Sequence, residues 1–447
     1  MTSSANGGRV ADGVIHGQPS KGFFVEMLTN DITVGDSILD IMDNSIDRAI
    51  ALTGTDVMQL LRGQSVGKRL AGYRISLEYD AECFRLVDNC GGISVEDARE
   101  RVFLLGNPGV ATKRPGLSVY GIGMKRALFK LGNTISFNSR TDKEYFKLGL
   151  DIQAWLDKGD NDWDFDAPET GAAKDDGEPG TEILIRDLHD DVSRHVSMTS
   201  FANELQRRIA STYALFVEAG LTIDVNGHVV ASALPEIGGE EVTPARTEFA
   251  VDDVEVLIIA GVTPRSDREQ RGTYVFCNGR MVLEADRSQL TGWGEGLPRW
   301  HTKYGHFVGF LYFKSDDVRS LPWTTTKTGV VQESAVYQKA LRELRIQARS
   351  VTAFLNRLYP GDVEEEGIAE REALNNVKSV TVIELSPRAS TFTVKPAEIK
   401  PEDEQVTIQF PKKARDINRI KKCFPRLKTA KAVGSYAFDY LLKKECQ

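Results

Sequence analysis

The sequence predicts an α+β fold, and three local patterns support that class. Segment 37–49 has apolar residues at the helical period and follows Asp36, a suitable N-cap. Segments 74–80 and 83–87 have the pattern of two strands joined by a hairpin turn. Segment 335–359 is a long helical run without Pro or Gly. The chain therefore combines helices with antiparallel strands.

The composition is that of a soluble globular protein. A chain of 447 residues suffices for about three domains, and 41% hydrophobic with 27% charged residues is an ordinary balance. The longest apolar stretch, 256–262, is too short to span a bilayer, and the first residues lack the pattern of a secretory signal. Five scattered cysteines form no CxxC pair, which argues against disulfides and structural zinc. We expect a cytoplasmic protein with reduced thiols.

The formal net charge of −8 is unevenly distributed along the chain. Residues 411–447 carry eleven Lys or Arg against three acids, a local charge of +8, which leaves −16 on residues 1–410. A basic tail of this kind can bind the phosphates of DNA. The alternative is a solvated helical segment whose charge balances the acidic body, and the composition leaves both interpretations open.

Three polar residues form a stripe on the predicted helix at 37–49. Asp40, Asn44 and Asp47 lie at positions i, i+4 and i+7. An amide oxygen can hold Mg²⁺, and a carboxylate one turn earlier can orient a water as a general base. A solvated acidic face of an amphipathic helix would have the same pattern. The helix alone leaves both interpretations open.

Two glycine-containing segments follow this helix in order, Leu86-Val-Asp-Asn-Cys-Gly-Gly-Ile93 and Tyr120-Gly-Ile-Gly-Met-Lys-Arg-Ala-Leu128. Together with the helix, they resemble the N box and the two glycine motifs of the GHKL ATPases. That group includes gyrase B, the mismatch-repair ATPases, heat-shock chaperones, sensor histidine kinases and the Microrchidia proteins. The resemblance implies the Bergerat fold, a two-layer α/β sandwich that binds ATP and Mg²⁺ between its helices and a mobile lid.

The resemblance assigns roles to the three residues of the stripe. Asn44 matches the asparagine whose side-chain oxygen binds Mg²⁺, and Asp40 matches the general base. Gyrase-type and mismatch-repair-type members have Glu at the position of Asp40. Because Asp is one methylene shorter, the attacking water must lie closer to the helix, and hydrolysis is expected to be slow. Asp47 matches an acid that orders the nucleotide pocket by hydrogen bonding.

The first glycine motif is expected to bind the base of the nucleotide. Asp88 matches the aspartate that accepts a hydrogen bond from the adenine amine, and Gly92 belongs to the turn beneath the base. Cys90 replaces the more usual first glycine of the motif. Thr181 matches the threonine that holds adenine through a water. Taken alone, the first motif would be an ordinary Asx turn, and Thr181 an ordinary strand residue.

The second glycine motif is expected to bind the phosphates. Gly121 and Gly123 precede a predicted helix, whose N-terminal amides can bind phosphate oxygens. Lys125 lies in its first turn, where a cation opposes the helix dipole unless an anion is present. The Gly- and Pro-rich segment before it resembles the ATP lid, with Thr112 and Lys113 near its small-hydroxyl-then-lysine pattern.

A second domain resembles the transducer domain of the mismatch-repair ATPases. Tyr274-Val-Phe-Cys-Asn-Gly-Arg-Met-Val282 resembles its Asn-Gly-Arg hairpin, and Pro322-Trp-Thr-Thr-Thr-Lys-Thr-Gly329 resembles the loop that carries a lysine to the γ-phosphate. Lys327 is the residue in that position. The alternative is a solvated loop lysine. The six histidines show no metal-binding spacing.

The predicted organisation follows from these matches and from composition. The acidic segment 157–179, with nine acids and two lysines, is interpreted as an exposed insertion. The predicted parts are a flexible arm (1–20), a GHKL ATP-binding domain with that insertion (21–196), a transducer domain (197–332), a helix and linker with strands (333–410) and a basic helical tail (411–447).

The function implied by the resemblance is Mg²⁺-dependent ATP binding and slow hydrolysis. Nucleotide would close the lid and dimerise two heads, which act on DNA or a protein partner. The competing interpretation is a non-hydrolysing, ATP-dependent assembly module or chaperone-like protein, in which Asp40 is a poor base. A sensor histidine kinase is disfavoured, because no phospho-accepting helical hairpin precedes Asn44. Defence against phage or mobile elements is suggested by analogy with Microrchidia-like bacterial proteins alone.

Overall fold

The computed structural model describes residues 19–63, 69–104, 116–118, 121–173, 177–264, 270–359, 368–395, 408 and 410–446. The predicted lid residues Thr112 and Lys113 lie outside these ranges, as does the predicted arm up to residue 18. The chain divides into two compact units, 1–397 and 398–447. Helices and largely antiparallel open sheets together make the fold α+β, as predicted.

The elements of the described residues are as follows, in chain order. The α-helices are α1 (Lys21–Asn30), α2 (Val34–Thr53), α3 (Val95–Asp97), α4 (Gly123–Leu131), α5 (Ile152–Asp157), α6 (Asp190–Val196), α7 (Thr199–Thr212), α8 (Ala214–Glu218), α9 (Ala335–Leu358), α10 (Ile368–Asn375), α11 (Ala414–Cys423) and α12 (Ala430–Glu445). The strands are β1 (Arg74–Tyr79), β2 (Cys83–Asp88), β3 (Gly132–Arg140), β4 (Glu144–Asp151), β5 (Glu169–Ala172), β6 (Gly180–Leu188), β7 (Thr222–Val225), β8 (His228–Val229), β9 (Glu236–Gly239), β10 (Val242–Thr243), β11 (Ala245–Val251), β12 (Val254–Val262), β13 (Gly272–Cys277), β14 (Arg280–Asp286), β15 (Phe307–Lys314), β16 (Lys378–Thr381) and β17 (Thr393–Val394).

The larger sheet has the strand order β5-β4-β3-β6-β2-β1-β7-β8. Its neighbours are antiparallel except for β1 and β7, which are parallel. β1 and β2 form the predicted hairpin, with Tyr79 opposite Phe84. Burial alternates along β1 and β2, so one face of the sheet is covered more fully than the other. β7 and β8 extend this sheet past residue 196, where sequence placed the end of the first domain.

Helix α2 is the predicted N-box helix, but its cap differs from the prediction. Thr33 is the N-cap, since its side chain accepts a hydrogen bond from the Asp36 amide. Asp36 lies one turn inside and forms an ion pair with Arg208. The predicted Asp36 cap is therefore wrong, because the extended Thr33 already satisfies the free amide. The apolar face of α2 is buried in the main core.

The second sheet has the strand order β11-β12-β15-β13-β14. The predicted Asn-Gly turn joins β13 to β14, with Asn278 and Gly279 at φ of 46° and 87°; two left-handed residues in succession are typical of a type I′ hairpin. β13 and most of β15 are buried on both faces. The predicted long helix at 335–359 is α9, which packs on β12 and β15.

The acidic segment 157–179 is not simply an exposed insertion. It contributes β5, which pairs with the edge strand β4. Trp163 and Phe165 pack against the core, and the ring of Trp163 lies 5.8 Å from that of Trp155. The prediction missed this order because two aromatic residues anchor a segment whose average composition is acidic.

The C-terminal unit contains the predicted basic helices, α11 and α12. Leu427 and Val433 are its buried apolar side chains among the residues described. The ring of Phe424 lies 5.3 Å from that of Tyr436. Four large side chains near the end of α12 are each more than half exposed: Phe438, Tyr440, Leu441 and Leu442. No described helix of the chain has both the length and the apolar character needed to cross a membrane.

Candidate active site

Asp40 of α2 lies between two cations from distant parts of the chain. Arg126 of α4 donates from Nε (2.9 Å) and Nη2 (2.5 Å) to Oδ2 of Asp40. Lys327 Nζ lies 3.4 Å from the other oxygen, Oδ1. The Asp40 side chain is only 1% exposed, yet Oδ1 has no hydrogen-bond partner among the described residues. A buried carboxylate oxygen with unused acceptor capacity is chemically notable, because leaving it unpaired costs free energy.

Asp43, one turn further along α2, contacts three side chains that lie far from it in the sequence. It accepts hydrogen bonds from Lys327 Nζ at 2.6 Å, from Arg280 Nε at 3.1 Å and from the Tyr213 hydroxyl at 2.8 Å. Burial by itself would raise the pKa of Asp43, but the charges of Arg280 and Lys327 outweigh it and hold that pKa below its ordinary value. The same carboxylate raises the pKa of Arg280 against the effect of burial. Asp43 is thus an ionised centre inside the protein.

Backbone contacts join the two ends of the loop that carries Lys327. An isolated β-bridge joins Trp323 to Val330, and the Thr324 amide donates to the Gly329 carbonyl at 3.0 Å. Lys327 itself has a left-handed backbone, with φ of 56°, which is costly for a residue with a side chain. Arg280 Nη1 donates to the Lys327 carbonyl at 2.7 Å. The β14 arginine therefore holds both the loop backbone and the acid that receives the lysine.

Asn44 and Asp47 contact the last residues of the predicted lid segment, 106–118. Asn44 Nδ2 donates to the Asp40 carbonyl at 2.8 Å, and Oδ1 accepts from the Ser118 hydroxyl at 3.3 Å. Asp47 accepts hydrogen bonds from the amides of Leu117 and Ser118. Burial raises the pKa of Asp47 to about 6, although those two bonds oppose the shift. Asp47 therefore anchors this segment to α2.

Asn44 could supply one oxygen ligand to a cation that is also bound by other ligands. Nδ2 of Asn44 donates to the helix backbone, so Oδ1 is the atom that a hard cation could bind in exchange for the Ser118 hydroxyl. Among the described residues, no group of three or more His, Cys, Asp or Glu side chains is arranged to hold a metal. Mg²⁺ commonly takes one or two protein oxygens and completes its shell with phosphate oxygens and water. Asn44 Oδ1 could supply one such protein oxygen.

The N-terminus of α4 lies directly beside Asp40. Gly121 has a φ of 64°, and α4 begins at Gly123, where a Cβ would lie 3.2 Å from Asp40 Oδ2. The N-cap residue, Ile122, supplies no side-chain hydrogen bond to this helix end. Free amides at a helix start attract anions. The α4 N-terminus is therefore a suitable place for a phosphate next to the acid.

Lys125 does not point into open space in this structure. It is 3% exposed, and its Nζ donates to the carbonyls of Val102 at 2.7 Å and Leu104 at 2.6 Å. Burial lowers its pKa to about 8. A phosphate contact from Lys125 would require the ammonium to leave both carbonyls. The neighbouring Arg126, rather than Lys125, contacts the acidic cluster.

Asp88 ends β2 and lies among buried polar groups. Its Oδ2 accepts from the Ser45 hydroxyl at 2.6 Å and its Oδ1 from the Cys90 amide at 2.8 Å. Burial raises the pKa of Asp88, although both bonds oppose this. Thr181 of β6 lies opposite Asp88 in the sheet, and its hydroxyl is 3.0 Å from that of Ser139. Ser45 links Asp88 to α2, the helix that also carries Asp40.

The turn after Asp88 requires glycine at position 92. Gly92 has a φ of 63°, and a Cβ there would lie 1.8 Å from the Arg140 carbonyl oxygen. No side chain can occupy that space without moving the backbone of β3. The turn is thus packed tightly against the sheet, which holds Asp88 in place.

The structure brings together Asp40, Asn44, Gly123 and Lys327, and places Asp88 with Thr181. Sequence analysis did not assign roles to four residues that form ion pairs or hydrogen bonds with the α2 acids, which are Asp43, Arg126, Tyr213 and Arg280. Two weak signals existed. Asp43 is a charged residue on a largely apolar face of the predicted helix, and Arg280 is the arginine of the Asn-Gly-Arg motif. Neither signal identifies the partner.

Comparison of the chain with protein-family models and with curated protein sequences finds no match. The case for a function therefore depends on the motifs and on the geometry described above.

Proposed function

We propose that this chain is a Mg²⁺-dependent ATPase of the GHKL type with a Bergerat ATP-binding fold. The observation that supports this most strongly is the meeting of Asp40, the α4 N-terminus and Lys327. These come from an N-box-like helix, a Gly-x-Gly helix start and a lysine loop after a second sheet. All three motifs match one family's ATP site in order, and their side chains or backbone converge on one acid. An accidental resemblance would not be expected to bring them into contact.

In this proposal each element contributes one interaction with the nucleotide. Asp88 accepts a hydrogen bond from the adenine amine, beside Thr181. Asn44 would hold, through its side-chain oxygen, a Mg²⁺ ion that would offset the charge of the phosphates. The first amides of α4, at Gly123, bind phosphate oxygens. Lys327 leaves Asp43 for the γ-phosphate, and Asp43 keeps Arg280 as its counter-ion.

The chemical step assigned to Asp40 is proton abstraction from water. Water attacks the γ-phosphorus, its proton passes to Asp40, and the bond from the γ-phosphorus to the β–γ bridging oxygen breaks, so that ADP leaves with that electron pair. Oδ1 is the atom for this role, since it is buried and without a hydrogen-bond partner in the part of the chain described here. Lid closure and dimerisation of two heads would follow from nucleotide binding, and the basic tail would bind DNA or a protein partner.

The competing proposal is a non-hydrolysing module that uses ATP to drive assembly. The ion pairs of Asp40 with Arg126 and Lys327 favour it, because cations on both oxygens compete with a proton. The two proposals differ in one measurement, the release of phosphate by the purified protein. Steady release at a rate that depends on Asp40 excludes the assembly module.

The experiment compares wild type with Asn44→Ala and Asp40→Asn. ATP affinity is measured by calorimetry with and without Mg²⁺, and turnover by phosphate release. Asn44→Ala should lose Mg²⁺-dependent binding, whereas Asp40→Asn should bind normally and lose turnover by about 10² to 10⁴-fold. Glu26→Gln is the matched control, because Glu26 is an exposed acid on α1. Retained micromolar affinity in Asn44→Ala would contradict the site.

A further inference from the structure

We propose that Arg126 is a positioning residue that orients the carboxylate of Asp40 toward the attacking water. This inference rests on the proposed ATPase function and extends it. Arg126 binds one oxygen of the acid and leaves the other for water. In this way a short aspartate can take the place of the longer glutamate that resembling ATPases use.

The contacts of the two Asp40 oxygens are unequal. Oδ2 receives two N–H groups of the same guanidinium, at 2.9 Å and 2.5 Å. Oδ1 is buried, and within the described ranges no group donates a hydrogen bond to it. Lys327 Nζ lies 3.4 Å from Oδ1 and, in the proposed function, leaves for the γ-phosphate. The two bonds from Arg126 therefore fix which of the two carboxylate oxygens faces α4.

The surroundings of Oδ2 make this orientation specific. The Arg126 side chain is only 12% exposed, so solvent screens the pair weakly. The first residue of α4, Gly123, approaches Oδ2 so closely that a Cβ there would lie 3.2 Å from it. Oδ2 thus faces α4 on both counts, and Oδ1 is the only oxygen that remains for a water.

Arg126 also contacts the loop that carries Lys327. Its Nη2 lies 3.3 Å from the Thr325 carbonyl, to which it donates. One guanidinium therefore sets the direction of the base and supports the lysine loop two residues before Lys327. Both groups would act on the γ-phosphate, so a change at Arg126 should affect the chemical step more than the binding of nucleotide.

The opposite role for Arg126 would be to make Asp40 a poorer base by neutralising its charge. The two roles predict changes of opposite sign. If Arg126 weakens the base, its removal should speed hydrolysis. If Arg126 positions the base, its removal should slow hydrolysis. A misplaced catalytic group can lose about 10²-fold in rate from a displacement of 1 Å.

The test uses the full chain with Arg126→Gln, Arg126→Lys, Asp40→Asn and the double variant Asp40→Asn/Arg126→Gln. Lys130→Gln is the matched control, since Lys130 is a cation in the last turn of the same helix. ATP affinity is measured by calorimetry, and the rate of phosphate release in single turnover at saturating ATP. Melting temperatures check that each variant is folded.

Arg126→Gln should lower the single-turnover rate by about 10 to 10²-fold and change ATP affinity less than about threefold. Arg126→Lys should recover part of the rate, because an ammonium can make one of the two bonds. The double variant should be no slower than Asp40→Asn alone, since the arginine acts through the acid. Lys130→Gln should match wild type.

Three results would overturn the inference: a rate for Arg126→Gln equal to or above that of wild type, additive losses in the double variant, or an affinity loss that accounts for the rate. Each is distinct from failure of the proposed function. If wild type turns over ATP, and Asp40→Asn loses this turnover while Arg126→Gln keeps the wild-type rate, only the role of Arg126 is refuted. If wild type does not turn over ATP, both proposals are refuted together.

Discussion

Replacing Asp43 by Ala is expected to destabilise the folded protein strongly, because that carboxylate neutralises buried cations. The Asp43 and Arg280 side chains are 0% and 2% exposed. Removing one partner of a buried ion pair costs about 3 to 5 kcal/mol, since the remaining charge has neither water nor a counter-ion. Lys327 would still have Asp40 at 3.4 Å, so the unpaired charge is mainly that of Arg280. We therefore expect a loss at the lower end, about 3 kcal/mol.

The assay is urea unfolding of Asp43→Ala, Arg280→Met and the double variant, followed by circular dichroism. The double variant should be less destabilised than the sum of the single variants, by about 1 to 3 kcal/mol, because it leaves no orphaned charge. Arg85→Gln is the control: its pair with Glu182 has side chains 40% and 31% exposed, and exposed pairs contribute under about 1 kcal/mol. Additive losses, or a loss for Asp43→Ala as small as that of the control, would refute the reasoning.

Two further predictions concern Asp47 and the basic tail. Burial raises the pKa of Asp47 to about 6 in the folded protein, above its value in the unfolded chain. Between these two pKa values the folded protein binds more protons than the unfolded chain. Asp47 therefore favours folding increasingly as the pH falls from 7 toward 4. The melting temperature of Asp47→Asn relative to wild type should therefore decrease between pH 7 and pH 5; a constant difference would contradict the shift. Deleting 411–447 should leave ATP turnover unchanged and remove a DNA affinity that falls steeply with salt, as phosphate binding by Lys and Arg requires. Equal DNA binding by the truncated protein at matched ionic strength would exclude the tail as the DNA contact.

Local patterns account for the elements that sequence analysis predicted correctly. The apolar period of α2, the β1–β2 hairpin, the Asn-Gly turn and the long helix α9 are all present. Each depends on residues within one element or one turn, where periodicity and turn chemistry act. The errors arose where a distant partner decided the outcome. Thr33 rather than Asp36 caps α2, while Asp36 pairs with the distant Arg208, and part of the acidic segment pairs with β4 as β5.

The candidate site also combines features that local sequence determines with features that depend on distant residues. The sequence by itself determined the order of the motifs and the residue types that they supply, including Asp40, Asn44 and Asp88. The tertiary structure alone decided that Arg126 binds Asp40, that Asp43 receives Lys327, and that Lys125 is held by carbonyls. The physical reason is that an ion pair depends on distance through space and on shared burial. Neither is encoded at a fixed spacing along the chain, so the packing of α2 against α4 and the lysine loop sets both.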